Sequence, residues 1–489
     1  MDPAAHAAAY AAVHETHVSV VLLLGDRAVK IKKPVRFPFI DLSTRELREQ
    51  ACHREVELNR RLAPDVYLGV ADVVGPDGEV CDHVVLMRRM PDDRRLATLV
   101  AEGVPVDDGL TDLARLLAAF HAAADRSPAI AAAATRDAVA GLWEAGFREV
   151  VPFTGTLVDP ATEARIEARA RRYLAGREPL FTSRIADGRV VDGHGDLLAG
   201  DVFLLSEGPQ ALDCLEFDDR LRHGDVLADV CFLAMDLERI GAPAAARHFL
   251  TEYRRFAGET HPASLEHHYV AYRAHVRAKV ACLRGGDDAP AEVARLIAIA
   301  DDHLARGRVV LALVGGGPGT GKSTLAAGLA DARGWVVLRS DEVRKDLAGI
   351  GHGARAAAAV DDGIYDPATT VATYRELLHR ARTLLEHGES VVLDATWGDE
   401  AQRAGARALA DGTVADLVEL RCVLAPEIAA ARVAARERRG DDVSDATVDV
   451  ARELAARADP WPSAGEIDTS GTVAETIAVA LRVVTERGL

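Results

Sequence analysis

Three things that would place this chain quickly are missing from it. Its six cysteines (Cys52, Cys81, Cys214, Cys231, Cys282 and Cys422) are scattered and no two form a CxxC pair. Neither a zinc site nor a disulfide framework is therefore expected, and the thiols read as small core residues. No apolar run approaches the ~18 residues that a membrane span needs. The best, Val18 to Leu24, has the length of a strand. A positive surplus is absent too: 58 Lys and Arg stand against 76 Asp and Glu, a formal net charge of -18 and a pI near 5.4. That argues against extended nucleic-acid binding. The opening MDPAAHAAAY carries an acid at position 2 and no basic segment, so no secretory signal is expected and the predicted compartment is the cytoplasm.

What is present is an ordinary globular composition, 49% hydrophobic and 27% charged over 489 residues. That length predicts two or three domains, each able to bury a core. The grammar changes near residue 305. Residues 1–305 open with β-type runs and continue into Ala/Leu/Arg-rich helical stretches, whereas 306–489 open on an apolar strand and alternate helix with strand. Neither part is basic: 36 basic and 48 acidic residues in the first, 22 and 28 in the second. In the first part, Val18 to Leu24 and Ala28 to Lys33, joined by Gly25-Asp26-Arg27, predict a hairpin. Residues 44–62 predict a helix that stops before Pro64, Val84 to Met87 a strand, and Arg189 to Phe217 a β-rich insert between helical blocks, its second strand running from Ala211 to Phe217. His261, His267, His268 and His275 show no convincing ligand spacing and read as surface histidines.

The most specific signal follows the apolar strand at 309–314. Gly316, Gly317, Pro318, Gly319, Thr320, Gly321, Lys322 and Ser323, followed by Thr324, satisfy G-x-x-x-x-G-K-[ST] in full. Glycines let backbone N–H groups curl around a phosphate, and the helix beginning at Lys322 adds its positive dipole end. Lys322 can then reach the β- and γ-phosphates of ATP, and Ser323 can ligate Mg²⁺. Downstream, Asp341 and Arg344 sit three apart at a strand-to-helix boundary, as a base and a guanidinium orienting an acceptor would; a plain helix N-cap at Ser340 or Asp341 is the alternative. Strand 390–394 ends in Asp394, followed by Trp397 and Arg403, and Arg432 and Arg436 share a helical face, where they could close over phosphates or simply meet solvent.

In this order, GGGPGTGKST, SDEVRKDL, VVLDATW with Arg403 and an arginine-bearing helix before Val443 to Asp445 resemble the small P-loop kinases allied to zeta toxins, gluconate kinases and the kinase domain of phage polynucleotide kinase. The resemblance implies Asp341 as general base, Arg344 as acceptor-binding, Asp394 as a carboxylate for the Mg²⁺ water or the acceptor, Arg436 and Arg439 as lid arginines, and Tyr365 to Tyr374 as an acceptor-side helix.

A second constellation lies at 194–229: His194-Gly195-Asp196 leading to Asp201, then Asp213 and Glu216, then Gly224-Asp225 and Asp229. Asp196 can accept a hydroxyl proton while Asp201 and a later acid hold Mg²⁺ against ATP phosphates. The ensemble resembles the aminoglycoside phosphotransferase group of the protein-kinase-like fold. It implies Asp196 as base, Asp201 and Asp213 as metal ligands, Asp225 and Asp229 as structural, Lys30 with Glu55 as the phosphate-orienting ion pair, and Leu86 to Met90 as the adenine hinge. Glu216 competes with Asp213, and Lys32 with Lys30. The group's usual Asn is Asp201 here, and only 17 residues precede the strand at 18–24, with no glycine-rich loop, so an abbreviated N-lobe is expected.

The whole chain thus resembles fused bacterial proteins described as aminoglycoside phosphotransferase plus ATP-binding domain. The expected fold is mixed α/β and α+β in two domains: a protein-kinase-like bilobal domain over 1–305 (N-lobe about 1–90, helical C-lobe about 91–305) and a P-loop NTPase over 306–489 with a parallel sheet flanked by helices. The expected function is an ATP- and Mg²⁺-dependent kinase for a small-molecule hydroxyl acceptor. A nucleotide-sugar or polynucleotide 5′-hydroxyl kinase, and an ATP-binding regulator with a degenerate kinase fold, are the competing readings.

Overall fold

In the computed structural model of the chain, which describes residues 11–15, 18–37, 40–351, 366–439 and 448–486, the early β-type runs join one five-stranded antiparallel sheet. Its order is Ala11–Glu15, Ser19–Leu24, Arg27–Lys32, Val80–Arg88, Tyr67–Val74. The expected hairpin turns at Gly25, whose φ of 56° is left-handed. The N-lobe is not abbreviated at the level of its sheet, because Ala11–Glu15 pairs antiparallel with residues 20–24 of the next strand. The helix expected over 44–62 runs Arg45–Asn59, opened by Thr44, whose side chain accepts from Leu47 N at 3.3 Å. It packs on the last two strands and buries Cys52 and Val56 with Ala28, Val85 and Met87.

Beyond the sheet the N-terminal half is helical, as its periodicity indicates. Helices Asp107–Ala123 and Val226–Arg239 both pack against Pro243–Ala257. Every side chain from Val226 to Leu237 is buried, which makes this the central helix of the lobe. The insert contains two short ladders, Val190–Asp192 with His223–Asp225 and Val202–Leu205 with Gly208–Ala211. The strand expected over 211–217 is not one. The ladder ends at Ala211, and Asp213 turns away with a φ of 64°. The histidine reading also needs correction. His268 and His275 are 1% exposed; His275 bonds Glu163 (2.9 Å) and lies against Trp143, and His268 stacks on Tyr173.

The second half builds a parallel sheet in the order Val336–Arg339, Val391–Asp394, Val310–Gly315, Asp416–Val423, Gly465–Asp468. Its central strands, Val310–Gly315 and Val391–Asp394, are buried throughout, which is why they read as unbroken apolar runs. Leu325, Ala326 and Leu329 of Lys322–Arg333 close one core with Val310, Ala312, Val418 and Ile467. The chain forms two compact units, one of Met1–Ile166, Phe181–His261 and Tyr269–His303, the other of Glu167–Leu180, Pro262–His268 and Leu304–Leu489. Two short segments of the helical stretch therefore belong with the P-loop unit. Among the described residues no helix is long and apolar enough to cross a membrane.

Candidate functional site

In the first unit, residues 30 and 32 share one face of a strand, since side chains alternate, and both meet the helix carrying Glu55. Lys30 Nζ lies 2.8 Å from Glu55 and 2.7 Å from Asp213. Lys32 Nζ lies 2.5 Å from the other Glu55 oxygen and also pairs with Glu216. Exposure separates the two lysines: Lys30 keeps 12% of its side chain accessible and Lys32 none. Lys30 with the half-exposed Asp213 thus faces the open side, while Lys32 is sealed behind them against Glu216, whose side chain keeps 10% of its surface. Burial pushes Glu55 up, but the two ammonium groups more than offset it and its carboxyl is held below the usual range.

The HGD loop is fixed by the helix beneath it. Asp229 accepts from His194 N (2.7 Å) and Gly195 N (2.8 Å), while Asp225 accepts from Leu227 N and pairs with Arg184. His194 is buried, with Nε2 donating to Leu212 O at 3.1 Å, so its ring holds the loop rather than facing the opening. Asp196, Asp201 and Asp213 converge closely enough to perturb one another. Burial and the neighbouring Asp213 and Asp196 push Asp201 up to about 8. Burial likewise pushes Asp196 up to about 6, against the pull of Arg277 at 3.9 Å. Asp213 goes the other way, held down by Lys30. Carboxylates in mutual repulsion beside one lysine fit a divalent cation. A Mg²⁺ site of this type needs one or two carboxylates plus substrate phosphates, and among the described residues no cluster of three or more ligands offers a fuller cage.

In the second unit the phosphate loop follows from its glycines. Gly316, Gly319 and Gly321 have φ of 140°, 80° and 87°, a conformation side chains resist, and a Cβ at Gly319 would sit 2.4 Å from Ala429 O. Gly316 N donates to Thr396 O (3.2 Å), and Thr469 Oγ1 donates to Thr320 O (2.7 Å), tying the loop to the ends of Val391–Asp394 and Gly465–Asp468, two other strands of the same sheet. The helix opens at Lys322, as expected. Asp394 stands beside Val314 in the sheet register, 3% exposed; Arg339 donates to one of its oxygens at 3.3 Å and the other is buried without a hydrogen bond. Burial pushes the Cys422 thiol up to about 12, with Lys322 and Asp394 both near enough to act on it. Asp394 and Lys322 therefore lie together at the end of the central strands.

Asp341 and Arg344 occupy the first turns of Ser340–Ala348, and no side chain caps that helix, so the N-cap alternative for Asp341 does not apply. Arg344 Nη1 donates to Thr370 Oγ1 at 3.1 Å, bringing in the helix Pro367–Glu386, and both Asp341 and Arg344 act on Tyr374, whose hydroxyl bonds Thr396. Arg403 is fully engaged, with Glu400 and with the carbonyls of Trp397 and Pro460, so it braces the loop rather than reaching a ligand. Arg432 Nη2 donates to Thr469 O. Tyr365, Val443 to Asp445 and the side chains of Arg436 and Arg439 lie outside the described residues. A cleft of about 700 Å³ opens at the loop, lined by Gly316, Thr320, Trp397, Arg421 and Trp461 among others. Trp461 was missed from sequence; its bracketing by Pro460 and Pro462 was the available signal. Arg277 carries no local sequence signal, because it meets Asp196 (3.9 Å) only through the fold.

The second unit carries a strand, a glycine-rich phosphate loop and a helix in the order a P-loop requires, and the first carries an ordered set of acids beside a lysine–glutamate pair. Residues 311–461 match the family described as AAA domain. The chain belongs to the family of "Uncharacterized protein Rv2004c" of Mycobacterium tuberculosis (strain ATCC 25618 / H37Rv), to which it is 45% identical over 474 residues, 96% of this chain and 95% of that protein. Among solved structures it is similar to a choline/ethanolamine kinase family protein from Mesorhizobium loti (16% identity, 61% of this chain and 93% of that one, TM-score 0.38). It is also similar to a gluconokinase from Sinorhizobium meliloti 1021 (19% identity, 36% and 92%, TM-score 0.26).

Proposed function

We propose that the chain is an ATP- and Mg²⁺-dependent kinase for a small-molecule hydroxyl, with ATP at the P-loop and a second kinase-type site around Lys30, Asp196, Asp201 and Asp213, and that its two domains divide at about residue 305. The observation that carries this is the phosphate loop: three left-handed glycines lead into a helix headed by Lys322, beside a buried Asp394 and a cleft that can admit a nucleotide and an acceptor.

At the P-loop the backbone N–H groups and Lys322 orient the phosphates, Asp341 takes the acceptor proton, and Arg344 fixes the acceptor. The acceptor oxygen forms its bond to the γ-phosphorus as the bond to the bridging β–γ oxygen breaks, and ADP leaves. In the N-terminal site Asp196 takes the proton and Lys30, steadied by Glu55, orients the phosphates. Ser323 and Asp394 in one site, and Asp201 and Asp213 in the other, would hold Mg²⁺, which supplies charge neutralisation on the phosphates. The accessible side of Lys30 favours it over the fully buried Lys32, and the greater exposure of Asp213 favours it over Glu216, for these roles.

Acceptor-dependent ADP release over a panel of metabolites, measured for wild type, Lys322→Ala and Asp196→Ala, tests the proposal. Each variant is expected to lose turnover on its own acceptors. Wild-type rates in both variants on every acceptor would overturn it.

A further inference from the structure

The nucleotide cleft occupies one end of the parallel sheet. At the other end, where Val310–Gly315 and Asp416–Val423 begin, the same unit forms a small second pocket of about 30 Å³, open to solvent on one side. Arg169, Arg172, Arg177 and Arg308 line it, with Asp416, Tyr173 and His268. Four guanidinium groups around so small a space are unexpected in a chain of net charge -18.

Asp416 is already taken: Arg308 Nε lies 2.6 Å from it and Arg172 Nη2 lies 3.0 Å away. Arg177 is only 1% exposed. Its Nη1 donates to the carbonyls of Gly176 and Thr413, both at 2.8 Å, but its Nε is buried with no hydrogen-bond partner, and it makes no ion pair among the described residues. The carboxylates of Asp416 and Glu386 reach it electrostatically, yet both are engaged by other arginines, Glu386 by Arg382 at 3.4 Å. One face is covered by the Tyr173 ring at 5.7 Å, itself stacked on His268 at 4.5 Å. Burial drives His268 down to about 3, so this wall is neutral.

A buried guanidinium without an anion is costly, and its planar fork matches two oxygens of a tetrahedral oxyanion. The cavity is on the scale of one such group and too small for a nucleoside. We propose that it is an oxyanion site that takes inorganic phosphate or the phosphoryl group of a small phosphate ester, anchored by Arg177 with Arg169, Arg172 and Arg308 around it. It is separate from the phosphate loop, since the six residues of Val310–Gly315 put about 20 Å of strand between them. Neither proposed kinase site uses these arginines.

Calorimetric titration of the full chain with inorganic phosphate, at constant ionic strength against chloride, tests the site. Lys322→Ala removes the P-loop's claim on phosphate. This variant is expected to keep one phosphate site, whereas Lys322→Ala combined with Arg169→Gln or with Arg177→Met should weaken it at least tenfold. Arg169→Gln, at the rim, covers the case in which Arg177→Met does not fold. Loss of all phosphate binding in Lys322→Ala, or unchanged affinity after Arg169→Gln is added, would overturn the proposal. Phosphate that binds no better than chloride would overturn it as well, leaving a cavity that holds water. Comparing inorganic phosphate with glycerol phosphate in the same format separates the free anion from an ester as the preferred occupant.

Discussion

Lys32→Met probes the sealed half of the N-terminal ion cluster. Five groups meet there, the ammoniums of Lys30 and Lys32 and the carboxylates of Glu55, Asp213 and Glu216. The substitution leaves one ammonium against three carboxylates, and Glu55, with no exposed side chain, loses one of its two cations. Removing one partner of a buried pair costs about 3–5 kcal/mol, because the remaining charge stays out of water. At roughly 2–4 °C per kcal/mol for a unit of this size, the melting temperature should fall by about 6–20 °C. Differential scanning calorimetry at pH 8 and pH 5 checks this. An orphaned buried carboxylate has its folded pKa raised above its unfolded value, so its penalty grows as pH rises above the ordinary glutamate range. The deficit should therefore be smaller at pH 5 than at pH 8. Adding Glu216→Gln removes the orphaned charge and should restore part of the loss, with a coupling of about 1–3 kcal/mol. A variant that melts within about 2 °C of wild type at both pH values, or a second substitution that deepens the loss, would refute the reasoning.

Gly319→Ala should abolish ATP binding at the P-loop while leaving the N-terminal site intact, because a Cβ there meets Ala429 O at 2.4 Å and the φ of 80° disfavours any side chain; nucleotide-induced thermal stabilisation of the second unit reads this out. Asp201→Asn should stabilise the nucleotide-free chain increasingly as pH rises. With Asp201 pushed up to about 8, the folded state holds a proton that the unfolded chain releases near the ordinary aspartate range. Wild-type stability therefore declines through that window by at most about 1.4 kcal/mol per pH unit on this account. Parallel pH–stability curves for the two proteins would contradict it. Lys30→Met should weaken nucleotide binding to the first unit with less loss of stability than Lys32→Met, since Lys30 is the lysine with an open side.

Much of the P-loop unit was legible in the sequence because its signals are local. A buried parallel strand must be an apolar run, and a phosphate loop must be glycine-rich, so 309–324 could be read from composition and spacing. The N-terminal region was legible as an ordered set of acids but not as geometry. The left-handed turn at Asp213, two residues past the end of the ladder, places that carboxylate beside Lys30, and its local mark is weak, since aspartate is enriched at positive φ but most aspartates do not adopt it. The choice between Lys30 and Lys32 depends on which is covered by residues far along the chain, Glu216 among them. The same holds for His268 and His275, polar in sequence yet buried by packing against Tyr173 and Trp143. The strand Ala11–Glu15 escaped notice because its apolar residues are small and mostly exposed.

Equilibrium binding of Mg–ATP, counted by calorimetry on the full chain, tests the two-site phosphotransferase most directly. Two nucleotides per chain are expected for wild type, one for Lys322→Ala, one for Lys30→Met, and none for the double variant. A single nucleotide in wild type that survives Lys322→Ala, or a stoichiometry untouched by either substitution, would contradict it.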